Sequence, residues 1–244
     1  MNKIQGYVNR VISAGPGGGS IFVFHKRGGQ PIKVVAEYSV QRDAPAVGSC
    51  LEIAGGFEDT VYGTQFVASS LTPIQPFGAE IVPLLSSYPI FQFFSWRRCE
   101  KLWKQLGSDL YYALDTRQSE HLKKVLHPAQ IYRLFDAWEK HRVLTDLAAY
   151  LRSHEAPQAA AQLLVNIYGS DTLAKISENP YRFSMVLDWE QADQLCQKIL
   201  RPGAGVIERN VAAVVAVLSE YLHHGDTSVS KKQMLTKLQK MLGP

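Results

Sequence analysis

With 244 residues, 46% of them hydrophobic and 20% charged, the chain has the composition of an ordinary globular protein and room for one large domain or two modest ones. Its net charge of +4 is mildly basic and evenly spread, with 6 Lys/Arg against 5 Asp/Glu in residues 1–75 and 20 against 17 in residues 76–244, which argues against a charged tail. No window reaches the roughly 18 apolar residues of a membrane span, no apolar leader follows Met1, and Cys50, Cys99 and Cys196 lack metal-ligand spacing, so a cytoplasmic protein with buried thiols and no metal or cofactor is expected.

Residues 1–75 read as β structure. Short β-branched and aromatic runs at Ile4–Ile12, Ile21–Phe24, Ile32–Ala36, Leu51–Ile53 and Thr64–Ala68 alternate with turn clusters at Gly15–Ser20, Arg27-Gly28-Gly29 and Val61-Tyr62-Gly63. Five such strands in so short a span predict a small closed barrel, OB-like in the first instance, with an SH3-like barrel giving nearly the same string. The glycines at 15–20 are not a phosphate loop: no Lys-Ser/Thr follows them and a strand, not a helix, comes next. With no Walker motif the chain carries no nucleotide motor, and with no catalytic constellation it is not expected to be an enzyme.

Pro73, Pro76, Pro83 and Pro89 mark a linker over residues 76–90. From residue 91 the apolar period is helical. Helices are predicted over Trp96–Leu106, from Ser108 or Asp109 through Leu114, and over Pro128–Lys140, Arg142–Ser153, Ala156–Tyr168 and Ser170–Ser177. Further ones follow at Glu190–Leu200, Glu208–His223 and Lys231–Leu242. The last carries Lys231, Lys232, Lys237 and Lys240, either a solvated face or a basic one, and His223-His224 reads as a helix end.

This region repeats. Gly107-Ser108-Asp109 recurs as Gly169-Ser170-Asp171, 62 positions later; Val125-Leu126, Gln130 and Leu134 recur as Val186-Leu187, Gln191 and Leu195, 61 positions later. Each copy reads helix, Gly-Ser-Asp turn, short helix, Val-Leu, helix, which predicts a duplicated unit at about 95–138 and 157–199. The fold class is therefore α+β, a five-stranded barrel at 1–75 followed by an all-α domain at 91–244.

The repeated unit resembles the helix-hairpin-helix modules of DNA repair and helicase proteins, whose hairpins offer backbone N–H groups to a phosphate. Those hairpins normally carry a Gly-hydrophobic-Gly triplet. Here the three positions read Phe91-Gln92-Phe93-Phe94-Ser95, Leu126-His127-Pro128 and Leu187-Asp188-Trp189, so the units look degenerate. Taken with Tyr62-Gly63-Thr64-Gln65-Phe66, Tyr168-Gly169, Glu178-Asn179-Pro180-Tyr181, Ala192-Asp193, Arg209 and Gly225-Asp226-Thr227, the chain resembles the N-terminal region of RecD-like ATP-dependent DNA helicases. The resemblance implies a barrel and hairpin repeats that contact or position single-stranded or forked DNA in repair or recombination. Alternatively the same scaffold docks a protein partner of a DNA-processing complex.

Candidate DNA contacts are Trp96, Arg97 and Arg98 beside the first hairpin and Lys123, Lys124, His127 and Arg133 around the second. Arg182, Arg201 and Arg209 lie farther on. Guanidinium and ammonium groups neutralise phosphates and an indole stacks on a base; in the alternative, the Trp is packed and the cations are simply solvated.

Overall fold

The computed structural model describes residues 2–15, 18–40, 43–61 and 63–243. Pro16 and Gly17 of the first turn and Tyr62 of the Tyr62-Gly63 motif lie outside the described residues. By compactness the chain divides into residues 1–149 and 150–244.

The first unit opens on five strands: β1 Asn2–Ala14, β2 Ser20–Lys26, β3 Pro31–Ala36, β4 Cys50–Thr60 and β5 Gly63–Pro73. They close into a barrel in the order β1-β2-β3-β5-β4. All pairs are antiparallel except β3 with β5, where Val34, Val35 and Ala36 face Phe66, Val67 and Ala68 in parallel. That crossover fits the OB-like expectation. Alternation explains the register: in β2, Ser20, Phe22 and Phe24 are buried while Ile21, Val23 and His25 are half-covered. Phe22 and Phe24 meet Val8, Val34, Ile53 and Phe66 in the barrel interior.

Four helices complete the first unit: α1 Ile81–Ser87, α2 Trp96–Leu106, α3 Asp109–Asp115 and the first part of α4 Pro128–Ser153. The stretch 76–90 holds α1, whose Ile81, Val82, Leu84 and Leu85 are buried in the helical core with Phe91, Leu102, Leu110 and Leu134. Its prolines sit where they do no harm, Pro83 in the first helical turn and Pro89 beyond the end. Barrel and helices are joined by a charged contact. Arg27 of the barrel donates from Nε and Nη2 to the two oxygens of Glu80 at 2.8 and 2.7 Å, and the Phe77 amide donates to the same carboxylate at 2.9 Å. Tyr111 Oη adds a bond to the Gly78 carbonyl at 2.8 Å.

The predicted break near residue 141 is absent; α4 runs unbroken through 26 residues. No Gly or Pro interrupts it, and His141 is buried, stacked on Trp138 at 5.9 Å and edge-on to Tyr88 at 5.8 Å. Ser108 sits at the predicted start of α3 but makes no side-chain cap.

The second unit contains the end of α4, then α5 Ala159–Tyr168, α6 Thr172–Glu178, α7 Trp189–Ile199, α8 Val206–His223 and α9 Lys231–Leu242. The two repeated segments share local geometry. Gly107 ends α2 with φ 51 and ψ −130, and Gly169 ends α5 with φ 62 and ψ −134. Each then passes through a short helix into a 3-10 turn, where Leu126 N donates to Leu122 O and Leu187 N to Phe183 O, both at 2.9 Å. Leu122 and Phe183, 61 apart, are both fully buried. No described helix is long and apolar enough to cross a membrane.

His141 gives the first unit a pH signature. Burial pushes its imidazole down to about 4, whereas the unfolded chain takes up the proton near the ordinary value of about 6.5. The unfolded state therefore binds more protons in this window, and stability falls as pH drops from 6.5 towards 4, by on the order of 3 kcal/mol. Urea unfolding across that range should show the loss, and His141→Leu should flatten it.

Candidate nucleic-acid interface

The junction between α7 and α8 differs from every other helix pair in the chain. Asp188 caps α7 by accepting from Gln191 N at 2.9 Å, and the helix ends at Ile199 with Leu200 extended. Pro202 holds Arg201 away from the helical region. Two residues in the left-handed region follow, Gly203 at φ 82 and Gly205 at φ 71, with Ala204 between them donating to the Arg201 carbonyl at 2.9 Å. Both angles favour glycine, and at Gly205 a Cβ would also lie 2.7 Å from Leu200 Cδ1.

Gly205 is the residue before α8 and has no side chain to cap it. Among the described residues, no hydrogen bond takes up the amides of Gly205, Val206, Ile207 or Glu208. These N–H groups open an 18-residue helix, so the positive end of its dipole coincides with unspent donors. Around Gly203 nothing lies within 4 Å of a Cβ position, and Arg201 is exposed beside it. The geometry suits a backbone phosphate. Glu208, also in the first turn, is the opposing charge.

Beneath the turn lies a clamp. Arg209 donates from Nε and Nη2 to the two oxygens of Asp193, each at 2.8 Å. Tyr181 Oη donates to Asp193 Oδ1 at 2.8 Å and Gln197 Nε2 to Oδ2 at 2.9 Å. Burial alone would raise the Asp193 carboxyl, but the bonds from Arg209, Tyr181 and Gln197 outweigh it and hold it below the ordinary value. Burial and the bond to Asp193 push the Tyr181 phenol up. Tyr181 also lies 3.7 Å from a Cβ position on Gly205, so the clamp sits against the turn itself. Asn179 fixes Tyr181 by accepting from its amide at 2.9 Å. Asn179, Tyr181, Asp193 and Arg209, scattered in sequence, thus form one assembly.

The sequence-predicted residues divide by what they touch. Arg209 is committed to Asp193 and also donates to the Leu242 carbonyl at 3.3 Å. Arg182 donates to Tyr168 Oη at 3.0 Å and lies over its ring at 5.3 Å. Both guanidiniums are engaged within the protein itself. In the first unit, Lys123 pairs with Glu120, and His127 Nδ1 accepts from Ala129 N at 3.4 Å at the start of α4. Lys124 and Arg133 are exposed. A shallow cavity of about 250 Å³ lies there between Ser119, Ile131 and Tyr132, but its Arg117 is already paired with Asp136 and Glu139. Beside the first hairpin, Trp96 is half-exposed, and Arg97, Arg98 and Lys101 are exposed on α2 with no ion pair among the described residues. The hairpin is anchored inward by buried Phe91 and Phe94.

The repeat-based reading covers three hairpins and passes over the fourth. The missed signal is Leu200-Arg201-Pro202-Gly203-Ala204-Gly205 before an apolar helical run, which supplies the Gly-hydrophobic-Gly triplet absent from the others.

Residues 140–228 match the family model described as the ATP-dependent RecD2 DNA helicase HHH domain. The match takes in α5 to α8 and both hairpins of the second unit, and together with the closed N-terminal barrel it fits the N-terminal region of a RecD2 helicase. No curated protein and no solved structure matches the chain significantly.

The clamp is testable through stability. Asp193→Ala strands the Arg209 guanidinium and should cost about 3 kcal/mol, whereas Tyr181→Phe removes one bond and should cost about 1 kcal/mol. Because the Asp193 carboxyl is held low, its contribution is present above the ordinary carboxylate range and disappears as acid protonates it. Urea unfolding of the two variants at neutral and acid pH reads both effects.

Proposed function

We propose that this chain is a non-catalytic DNA-binding and DNA-positioning module of a RecD2-type helicase, gripping backbone phosphate through the turn at residues 200–205. The observation that carries the reading is the pair of left-handed glycines opening α8 with unspent N–H groups. A phosphate oxygen accepts from the amides of Gly205, Val206 and Ile207, with Arg201 supplying the neutralising charge. Such contact ignores base identity, which suits a module that positions DNA for a motor. The clamp from Asp193 keeps the turn in shape without touching the ligand.

In the first unit, Trp96, Arg97 and Arg98 form a second contact, where the half-exposed indole stacks on an unpaired base and the two unpaired guanidiniums meet phosphate. Single-stranded or forked DNA is the substrate class that uses both kinds of contact. Lys124 and Arg133 add phosphate contacts at the second hairpin. The sequence holds no Walker motif, so the chain contributes binding and placement rather than hydrolysis.

Fluorescence anisotropy with a labelled forked duplex tests the reading. Binding should weaken steeply with salt, and Arg201→Ala should lower the log–log salt slope by about one. Gly203→Val should weaken binding about tenfold or more while leaving that slope nearly unchanged, and Glu208→Gln should strengthen binding a few-fold. Absence of wild-type binding at low salt, or equal binding by wild type and Gly203→Val, would contradict the proposal.

A further inference from the structure

Counted over long segments the charge of the chain is even, but counted by element it falls on one helix. Of the 26 Lys and Arg residues, four lie in α9, and none of the 22 Asp and Glu residues lies beyond Asp226. Residues 1–226 are therefore neutral, and the net charge of +4 belongs to the last helix. Ser230 caps α9 by accepting from Gln233 N at 3.3 Å, so the helix starts on its own local chemistry. Met234, Leu238, Met241 and Leu242 are half-buried and turn one stripe inward. On the opposite side Lys232, Thr236 and Lys240 form a single i, i+4, i+8 row, all exposed.

Two contacts fix where this row lies. Lys237 Nζ donates to Glu220 Oε1 at 2.7 Å and sits 4.4 Å over the Tyr221 ring, near the end of α8. Arg209 Nη1 donates to the Leu242 carbonyl at 3.3 Å, near the start of α8. α9 therefore runs antiparallel to α8, and its last turn, which holds Lys240, returns to the side of the glycine turn at 200–205. Lys237 is spent on Glu220, whereas Lys232 and Lys240 have no ion pair among the described residues. At 1.5 Å per residue their backbone positions are about 12 Å apart, so the row spans more than one phosphate. A face that serves solubility alone mixes acids with bases; this one carries cations only.

We infer that α9 is a second backbone contact for nucleic acid. The strand whose phosphate sits on the turn at 200–205 continues along this helix, with Lys240 taking a neighbouring phosphate and Lys232 one farther on. The inference rests on the phosphate reading of that turn and adds to it the path of the strand. Thr236 and Gln239 lie between the two cations and bring no negative charge to oppose the contact. Recognition of this kind is by backbone charge and ignores base sequence.

Fluorescence anisotropy of the full chain with a labelled forked duplex, from about 50 to 200 mM salt, tests the path. Combining Lys232→Gln with Lys240→Gln should lower the log–log salt slope by about two, with an unchanged circular dichroism spectrum, and the paired Lys→Arg changes should keep the slope. A Lys→Gln pair with the wild-type slope overturns the inference; if Gly203→Val still weakens binding in that case, the turn reading stands without it. A lowered slope in the Lys→Gln pair together with wild-type binding by Gly203→Val rejects the continuous path, and no wild-type binding at low salt rejects both readings. Co-sedimentation with phosphatidylcholine vesicles containing phosphatidylserine covers the competing polyanion. Vesicle binding that the Lys→Gln pair abolishes, beside an unchanged DNA slope, assigns the face to an anionic membrane and overturns the inference.

Discussion

Asp193 receives hydrogen bonds from Arg209, Tyr181 and Gln197 at 2.8 to 2.9 Å, and the candidate interface depends on that convergence. α7 and α8 are joined by a few residues containing two glycines, a link with little rigidity of its own. The bidentate Arg209 pair fixes α8 against α7 within one turn of the glycines. Tyr181 fixes the preceding 3-10 segment to the same carboxylate. The flexible element is thereby held by stiff ones, which lets bare N–H groups face outward in a fixed arrangement without a capping side chain. A phosphate site made of backbone needs this kind of support, because nothing at the site itself can be tightened by a longer or better side chain.

The other hairpins solve a different problem. Phe91 and Phe94, Leu122 and Leu126, and Phe183 turn inward and anchor their loops to the helices. Such hairpins are fastened by burial and have side chains where a phosphate would need to approach backbone. Their outward cations differ in availability: Lys123 and Arg182 are engaged with the protein, whereas Arg97 and Arg98 are not. The chain separates two tasks that a single helix-hairpin-helix unit combines. The hydrophobic hairpins are fastened by burial, and in the proposed function the glycine hairpin presents the donors.

Much of this was legible in the sequence. Period-2 and helical patterns located the strands and most helices, because burial on one face dictates which positions are apolar. The repeat was legible through Gly107 and Gly169, whose shared backbone angles require the residue that both positions retain. What escaped was chemistry that depends on convergence. Asp193 and Arg209 are 16 residues apart and Tyr181 is 12 from Asp193, so nothing local announces that one carboxylate organises both partners. For Arg209 and Arg182 the sequence shows the charge but not the intramolecular partner, Asp193 in one case and Tyr168 in the other. The glycine triplet was in plain view, but it lies outside the repeated frame in which hairpins were sought.

In the proposed function, phosphate meets the backbone where α8 begins. Amide chemical shifts of the 15N-labelled chain, followed while a short unlabelled DNA strand is added at low salt, test it most directly. The largest concentration-dependent changes should fall on Gly203 to Ile207, with smaller ones on Trp96 to Arg98. Saturable changes confined to other segments, with Gly203 to Ile207 unmoved, would contradict it.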